Sequence, residues 1–192
     1  MIVGICGYTG SGKSSAAKYL CEKNGFAIID ADKLARKLML ENADLICEVG
    51  KTFGVVRDGK IDFVKLGNIA FESVENLKKL NSLTFPYIIP AIKHETAAAD
   101  FAILDAALLP LISPQEICNF AIWMECDILA RIERLRNRTN LSIDTIRNRI
   151  EKQMQLISRP PDCNFWKFIK NNSSFENLFS ELDEINKICV RR

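Results

Sequence analysis

The sequence predicts an α/β fold in which a five-stranded parallel sheet is covered by helices on both faces. Five short apolar runs are separated by segments with helical periodicity. Nearly continuous apolar strands are typical of parallel sheets, because helices bury such sheets on both sides. A glycine-rich turn follows the first apolar run and precedes the first helical segment. The length of 192 residues fits a single domain.

Each strand is recognised as an apolar run that ends at a turn or a polar residue. The predicted strands are residues 2–6, 26–29, 101–104, 120–125 and 165–170. The first helix is predicted from Lys13 to about Lys23, with Asn24-Gly25 as its C-cap. A last helix follows the fifth strand, where Ser173 and Glu176 have the spacing of a capping box.

A long helical stretch, residues 33–99, separates the second and third predicted strands. Asp62 and Ser73 are predicted N-caps, Asp58-Gly59 a turn, and Phe85-Pro86 the start of a further helix. The stretch is predicted to hold four helical segments and no strand. We interpret it as an insertion into one domain, whose core comprises about 1–32, 100–127 and 158–192. The remaining residues, about 128–157, form two further predicted helices, 128–138 and 143–157.

The composition excludes several classes of protein. The 26 basic and 24 acidic residues leave a net charge of +2, which favours neither a nucleic acid nor a membrane as partner. The single histidine, His94, removes most histidine-based zinc sites. Seven cysteines without a C-x-x-C pair are typical of a reducing compartment. Because no apolar run approaches the roughly 20 residues that span a bilayer, we expect a cytoplasmic protein.

The glycine-rich turn has the pattern of a phosphate-binding P-loop. Residues 7–14 match G-x-x-x-x-G-K-[ST], between a predicted strand and a predicted helix. Glycines such as Gly10 and Gly12 let backbone N–H groups surround an anion, and the helix N-terminus adds its positive end. Lys13 would reach the β- and γ-phosphates, and the Ser14 hydroxyl would bind Mg²⁺. Phosphate binding is therefore predicted, with a glycine-rich strand–helix turn that carries a solvated lysine as the alternative.

The sequence favours ATP over GTP as the nucleotide. A GTPase would carry an Asn-Lys-x-Asp guanine-binding motif after a later strand. The single Asn-Lys pair, Asn186-Lys187, continues as Ile-Cys and lies within the last predicted helix. We therefore expect ATP, with Mg²⁺ as its metal.

Three aspartates follow predicted strands, where the active site of an open parallel sheet lies. Asp30 and Asp32 follow the second strand, and Asp105 follows the third. Transfer of a phosphoryl group to a hydroxyl needs a carboxylate to accept the proton and groups that hold Mg²⁺. Asp32 is the candidate base, with N-capping of a helix near Lys33 as an equal alternative, and Asp30 is interpreted as structural. Asp105 has the position of a Walker-B-type aspartate, with capping of the next segment as its alternative.

Arginines are concentrated near the two late helices. Seven of the eleven arginines lie between residues 131 and 159, where eight cations face three anions. On the first of these helices, Ile128, Leu129, Ile132 and Leu135 are predicted to form the buried stripe, leaving Arg131, Arg134 and Arg138 on another face. Such a helix pair is typical of a kinase lid that closes over polyphosphate. The alternative is an ordinary solvated charged face.

Several blocks of sequence together resemble the dephospho-CoA kinase family. Residues 29–36, Ile-Asp-Ala-Asp-Lys-Leu-Ala-Arg, resemble its second-strand motif, and Leu104-Asp105-Ala106-Ala107-Leu108-Leu109 resembles its L-D-x-P-L-L. Residues 133–154 carry its most specific signature, E-R-L-x-x-R-x-x-L-S…R-I-x-x-Q-M. With the P-loop, the resemblance covers nearly the whole chain.

The resemblance implies a P-loop kinase that phosphorylates the ribose 3′-hydroxyl of dephospho-CoA with ATP. It implies that the insertion binds this substrate and that residues 128–157 are the lid. Asp32 would be the base, Arg36 would help to place the acceptor, and Arg138 and Arg149 would reach the ATP phosphates. The full predicted site comprises catalytic Asp32, Lys13 and Arg138; ATP-binding Gly10, Ser11, Gly12, Lys13, Ser14, Ser15, Arg138 and Arg149; and substrate-binding Asp32, Arg36, Asp105 and Leu108. We expect a monomer or small homo-oligomer.

The departures from the family pattern lie mostly on the acceptor side. Phe85 replaces the histidine of a His-Pro pair, and Ile89 stands near a following arginine. Cys6 replaces a threonine, Ala107 a proline, and Lys170 an aspartate. Two alternatives therefore stay open: a kinase of another nucleotide-like molecule, or a degenerate or regulatory ATP-binding homologue without transfer activity.

Overall fold

The computed structural model describes residues 1–172 and 175–190, and its centre is a five-stranded parallel sheet. The strands lie in the order β2-β5-β1-β6-β7, and all four neighbouring pairs run parallel. They are β1 (Ile2–Gly7), β2 (Ala27–Asp30), β5 (Ala102–Asp105), β6 (Phe120–Glu125) and β7 (Trp166–Lys170). The five predicted strands are confirmed to within one residue at each end.

Helices cover both faces of the sheet, as predicted. Helices α1 (Lys13–Asn24) and α8 (Phe175–Val190) share one hydrophobic cluster with β1 and β6. On the opposite face, α5 (Val74–Ala97) contributes Ile88 and Ile92 to a second cluster. Side chains of β6 alternate between the two, since Trp123 joins one cluster while Ile122 and Met124 join the other.

The α1 ends are defined by glycines. Gly25 ends the helix in a left-handed conformation, and its N–H donates to the Cys21 carbonyl, so the predicted C-cap is confirmed. Of the predicted capping pair of α8, Ser173 and the Glu176 side chain lie outside the described residues.

The stretch between β2 and β5 contains four helices and has a hydrophobic core of its own. These helices are α2 (Ala31–Glu41), α3 (Ala43–Phe53), α4 (Phe63–Ala70) and α5. Asp62 and Ser73 cap α4 and α5 as predicted. Leu45, Val49 and Leu66 are buried in a cluster separate from the sheet. We refer to residues 31–97 as the insertion.

Two expectations for the insertion are wrong. A two-stranded hairpin, β3 (Val56–Arg57) with β4 (Lys60–Ile61), flanks the Asp58-Gly59 turn where no strand was expected. Pro86 does not start a helix, because α5 continues through both Pro86 and Pro90. Both prolines are exposed, so the two carbonyls that lose a helical N–H partner face the solvent side.

Helices α6 (Ile128–Arg138) and α7 (Ile143–Leu156) occupy the predicted positions. The predicted buried stripe of α6 is wrong in part, because Leu129 is 75% exposed and Ile128 is also exposed. Leu135 is buried and Ile132 packs beside it, but the other buried residue of the helix is Arg131. The apolar residues of α6 therefore do not define its inner face. Among the described helices, none has the length and apolarity that a membrane crossing requires.

Candidate active site

The P-loop adopts a conformation that depends on glycine at two positions. Gly10 and Gly12 have φ values of 79° and 95°. A Cβ on Gly10 would lie 3.0 Å from the Arg131 carbonyl oxygen, and one on Gly12 would lie 2.2 Å from Nδ2 of Asn171. Glycine is thus required for backbone conformation and for close packing against α6 and the end of β7.

The reactive groups of the P-loop face the ends of β1 and β5. Lys13 is partly buried at the first position of α1, and its Nζ donates to the Tyr8 carbonyl at 3.3 Å. The Ser14 hydroxyl donates to Oδ2 of Asp105 at 2.8 Å. Ser15 is exposed, whereas Ser11 is fully buried and contributes backbone groups to the loop. A serine hydroxyl beside a carboxylate is the oxygen donor set that Mg²⁺ and a phosphate chain complete.

Asp105 therefore has the contact expected of a Walker-B-type aspartate. It is 9% exposed at the end of β5, and residues of β1 and β2 flank it in the sheet. Within the described part of the chain, its side chain caps no helix. Of the two interpretations of Asp105, the structure favours the one in which it faces the P-loop.

Asp30 and Asp32 have different roles in the first turn of α2. The Asp30 side chain accepts from the Lys33 N–H at 2.9 Å and also pairs with the Lys33 ammonium group. Asp30 is the N-cap of α2, which confirms its structural role. N-capping by Asp32 is thereby excluded, and its carboxylate has no hydrogen-bond or ion-pair partner in the portion that the structure describes.

Lys13, Asp32 and Asp105 form one electrostatic group. Burial lowers the pKa of Lys13, and the charges of Asp105 and Asp32 oppose that change. Burial raises the pKa of Asp32, against the attraction of Lys13. Burial also raises the pKa of Asp105. Asp32 retains a solvent-accessible surface although protein surrounds it closely enough to desolvate it, which is the situation of a side chain in an open cleft.

Three of the four arginines of α6 are held in three different ways. Arg131 is 2% exposed, lies over the Tyr8 ring and donates to the Met154 sulfur. Arg134 is half-buried and donates to the carbonyls of Gly10 and Asn171. Arg138 is exposed, and its charge contributes to the lowered pKa of Lys13. Because only Arg138 is both close to Lys13 and without a described partner, it is the arginine available for a ligand.

The remaining predicted site residues lie elsewhere on the cleft. The Arg36 guanidinium lies 4.3 Å from the Phe63 ring centre, and that of Arg149 lies 5.1 Å from the Phe71 ring centre. Leu108 is half-buried and packs on the same cluster as Phe85. No described contact connects Arg36, Arg149 or Leu108 to the P-loop. They lie against the insertion or the core beside it.

Two residues that contact the P-loop were not predicted. Oε1 of Gln153 accepts from the Thr9 N–H at 2.6 Å, which joins α7 to the loop. Nδ2 of Asn171 donates to the Ser11 carbonyl at 2.8 Å. Asn171 could have been suspected, because it follows a strand at the same edge of the sheet as Asp30 and Asp105. Gln153 belongs to the lid signature but gives no sign of its partner.

Comparisons with known proteins agree with this geometry. The sequence profile of the dephospho-CoA kinase family matches residues 1–177. A dephospho-CoA kinase of Fusobacterium nucleatum is 32% identical over 188 residues, which cover 95% of each chain. A crystal structure of a Thermus thermophilus protein superposes with a TM-score of 0.74 at 23% identity, covering 98% of this chain and 97% of its own. A dephospho-CoA kinase from Campylobacter jejuni superposes with a TM-score of 0.58 at 22% identity, covering 100% and 98%.

Proposed function

The chain belongs to the dephospho-CoA kinase family, and we propose how its own residues carry out that family's reaction. The protein is a P-loop kinase and a phosphotransferase. It transfers the γ-phosphoryl group of ATP to the ribose 3′-hydroxyl of dephospho-CoA, which gives CoA and ADP. The observation that carries the assignment of roles is the grouping of Lys13, Ser14, Asp32 and Asp105 at one edge of the sheet.

The phosphate-binding role falls to the P-loop and the exposed lid arginine. Backbone N–H groups around Gly10 and Gly12, together with the N-terminus of α1, would surround the β-phosphate. The Lys13 ammonium group and the Arg138 guanidinium would neutralise charge on the transferring phosphoryl group. Arg138 can bind a phosphate without breaking a contact, because its guanidinium pairs with no described residue.

Ser14 and Asp105 fit the metal that accompanies ATP in such kinases. Their oxygens already lie 2.8 Å apart, and Mg²⁺ in phosphoryl-transfer sites is commonly held by one or two protein oxygens plus phosphates. When bound, Mg²⁺ supplies charge neutralisation on the β- and γ-phosphates.

Asp32 is the proposed base. It is the second residue of α2, two positions after Asp30, which ends β2 and caps the helix. Its pKa is raised by burial, so its carboxylate is a stronger base than an ordinary aspartate. It would accept the proton of the acceptor hydroxyl as the oxygen attacks phosphorus, while Lys13 holds the opposing charge.

The insertion would bind the rest of the acceptor. Arg36 is exposed on α2, the helix that carries Asp32, and Leu108 lies on the core beside it. Phe85 and Ile89 give this region an apolar character, because both pack on the same cluster as Leu108. Arg149 would reach the ATP phosphates by leaving the Phe71 ring.

We also propose a cytoplasmic location and a monomer or small homo-oligomer. All six cysteines whose side chains the structure describes are free thiols, which supports a reducing compartment. Sedimentation of the purified chain measures the oligomeric state directly.

An assay of ADP release with Mg-ATP and dephospho-CoA tests the function, with mass spectrometry of the product. We expect ADP release that depends on dephospho-CoA and a product that is CoA. ATP binding without CoA formation on this acceptor would contradict the proposal, and a panel of nucleotide-like alcohols would then separate another kinase from an inactive homologue.

A further inference from the structure

We propose that Asn171 is a positioning residue that aims the Gly12 N–H of the P-loop at the phosphates and connects that peptide to Arg134 of the lid. The inference rests on the proposed function of the P-loop as an ATP phosphate site. Asn171 touches neither reactant in this proposal. It acts through the backbone of Ser11 and Gly12.

All the polar atoms of Asn171 are engaged. Its N–H donates to the Glu125 carbonyl at 2.8 Å, and its Nδ2 donates to the Ser11 carbonyl at 2.8 Å. The second guanidinium nitrogen of Arg134 donates to its carbonyl at 3.0 Å and to its Oδ1 at 3.4 Å. The residue is 4% exposed. A buried amide with every group paired has a single favourable orientation.

The bond to Ser11 determines the direction of the next N–H. In a trans peptide, the carbonyl of one residue and the N–H of the following residue point in opposite directions. Because Asn171 draws the Ser11 carbonyl toward β7, the Gly12 N–H points away from β7. Among the described residues, none accepts a hydrogen bond from this N–H. It is therefore a free donor at the N-terminus of α1, where an anion binds.

The packing against Gly12 makes this arrangement tight. Nδ2 would lie 2.2 Å from a Cβ on Gly12, so the amide rests directly on the Cα of the residue whose N–H it orients. Arg134 meanwhile donates to the Gly10 carbonyl at 3.4 Å. Asn171 and Arg134 together hold two successive P-loop carbonyls away from the phosphate side.

The variant Asn171→Asp removes the hydrogen-bond donor of the side chain and keeps its acceptor. A carboxylate keeps both acceptors for Arg134 but loses the donor to Ser11 and places negative charge beside that carbonyl. We expect the dissociation constant for ADP to rise about 10- to 100-fold, as for a lost hydrogen bond with an unpaired buried partner. The KM for ATP should rise and kcat should fall, while the KM for dephospho-CoA stays within about twofold of wild type.

Asn172→Asp is the matched control. Asn172 accepts from the Asp127 N–H through Oδ1 at 2.8 Å, a bond that aspartate can also make. We expect ADP binding and kinetics close to wild type. If Asn171→Asp does not fold, Asn171→Ser serves instead, because its shorter side chain cannot reach Ser11, and the same loss of ADP affinity is expected.

ADP binding by calorimetry keeps the inference separate from the proposed function. A wild-type protein that binds ADP but makes no CoA would contradict the function, and the comparison of variants would still test Asn171. ADP affinity within twofold of wild type in a folded Asn171 variant would overturn the inference. So would an equal rise in the KM of both substrates, which indicates a general structural role.

Discussion

The P-loop and the insertion are held by different kinds of contact. Hydrogen bonds join the P-loop backbone to three elements: Gln153 of α7 accepts one, and Arg134 of α6 and Asn171 at the end of β7 each donate one. The insertion instead folds around its own apolar cluster. It meets the lid at Phe71, whose carbonyl accepts from Asn148 and whose ring lies under Arg149.

The difference predicts how each region responds to substitution. Hydrogen bonds fix direction as well as distance, so a substitution in the P-loop half misdirects the groups that stabilise charge during transfer. Apolar packing and cation–π contacts accept small shifts at lower cost. Phe85 and Ile89, two of the main departures from the family pattern, lie on α5 in the tolerant half. Four substitutions test this contrast, from the most to the least damaging.

Lys13→Ala should cause the largest loss. A cation at the transferring phosphoryl group contributes about 10³- to 10⁵-fold to the rate in phosphoryl transfer, so kcat should fall by about that factor. Steady-state ADP release measures it. Lys18→Ala is the control, because Lys18 lies on the same helix and pairs only with Glu22 on the exposed surface. A variant at Lys13 that retained a tenth of the wild-type rate would contradict the assignment.

Asp32→Asn should reduce kcat by about 10²- to 10⁴-fold, the usual contribution of a general base. Asp30→Asn is its control, since asparagine also caps helices. In the wild type, activity should fall as the pH is lowered, because Asp32 becomes protonated. Since the pKa of Asp32 is raised, this fall should begin at a higher pH than the pKa of an ordinary aspartate would give. That acidic limb should disappear in Asp32→Asn.

The same raised pKa gives a stability test of Asp32. The folded protein holds the proton more tightly than the unfolded chain, so Asp32 lowers stability as the pH rises from its unfolded pKa, and the loss is complete above its folded pKa. Asp32→Asn should therefore raise Tm at neutral pH and have less effect in acid below both pKa values. Thermal denaturation at two pH values measures this, and a lower Tm at neutral pH would contradict it.

Arg138→Ala should have an intermediate effect, with a loss of about 10- to 100-fold in kcat/KM for ATP, in the range of charge-assisted hydrogen bonds. Arg136→Ala is the control, because Arg136 is an exposed neighbour in the last turn of the same helix. Equal kinetics for the two variants would show that Arg138 does not act on the phosphates.

Phe71→Ala should have the smallest effect. It removes the cation–π contact that Arg149 must leave to reach the ATP phosphates, so the KM for ATP should fall about two- to fivefold with kcat retained. Phe53→Ala, which alters a partly buried phenylalanine of the insertion core, controls for general loosening. A hundredfold loss of kcat in Phe71→Ala would mean that the insertion is coupled to the reacting groups as rigidly as the P-loop is.

The sequence predicts those parts of the site whose chemistry is local. The P-loop glycines follow from backbone conformation, and Asp30, Asp32 and Asp105 follow from the rule that strand ends meet at one edge of a parallel sheet. Helices α6 and α7 lie where they are predicted, because helical periodicity is a property of neighbouring residues.

The remaining features depend on contacts between distant segments. Arg131 is buried because Tyr8 and Met154, from two other elements, surround it, and helical periodicity carries no information about them. Leu129 is exposed because it belongs to none of the described apolar clusters. The continuity of α5 through Pro86 was missed because tertiary packing of Ile88 and Ile92 outweighs the local signal of proline.

The two prolines of α5 affect more than the boundaries of a helix. Pro86 and Pro90 remove the N–H partners of the Ser82 and Pro86 carbonyls, which lie one turn apart. The missing bonds fall between Leu83, which packs in the insertion core, and Ile92, which packs under the sheet. Bending stiffness is therefore lowest where the helix passes from one core to the other. Any bending of the insertion against the sheet is therefore expected in this part of α5, whereas the P-loop is fixed by hydrogen bonds to three elements.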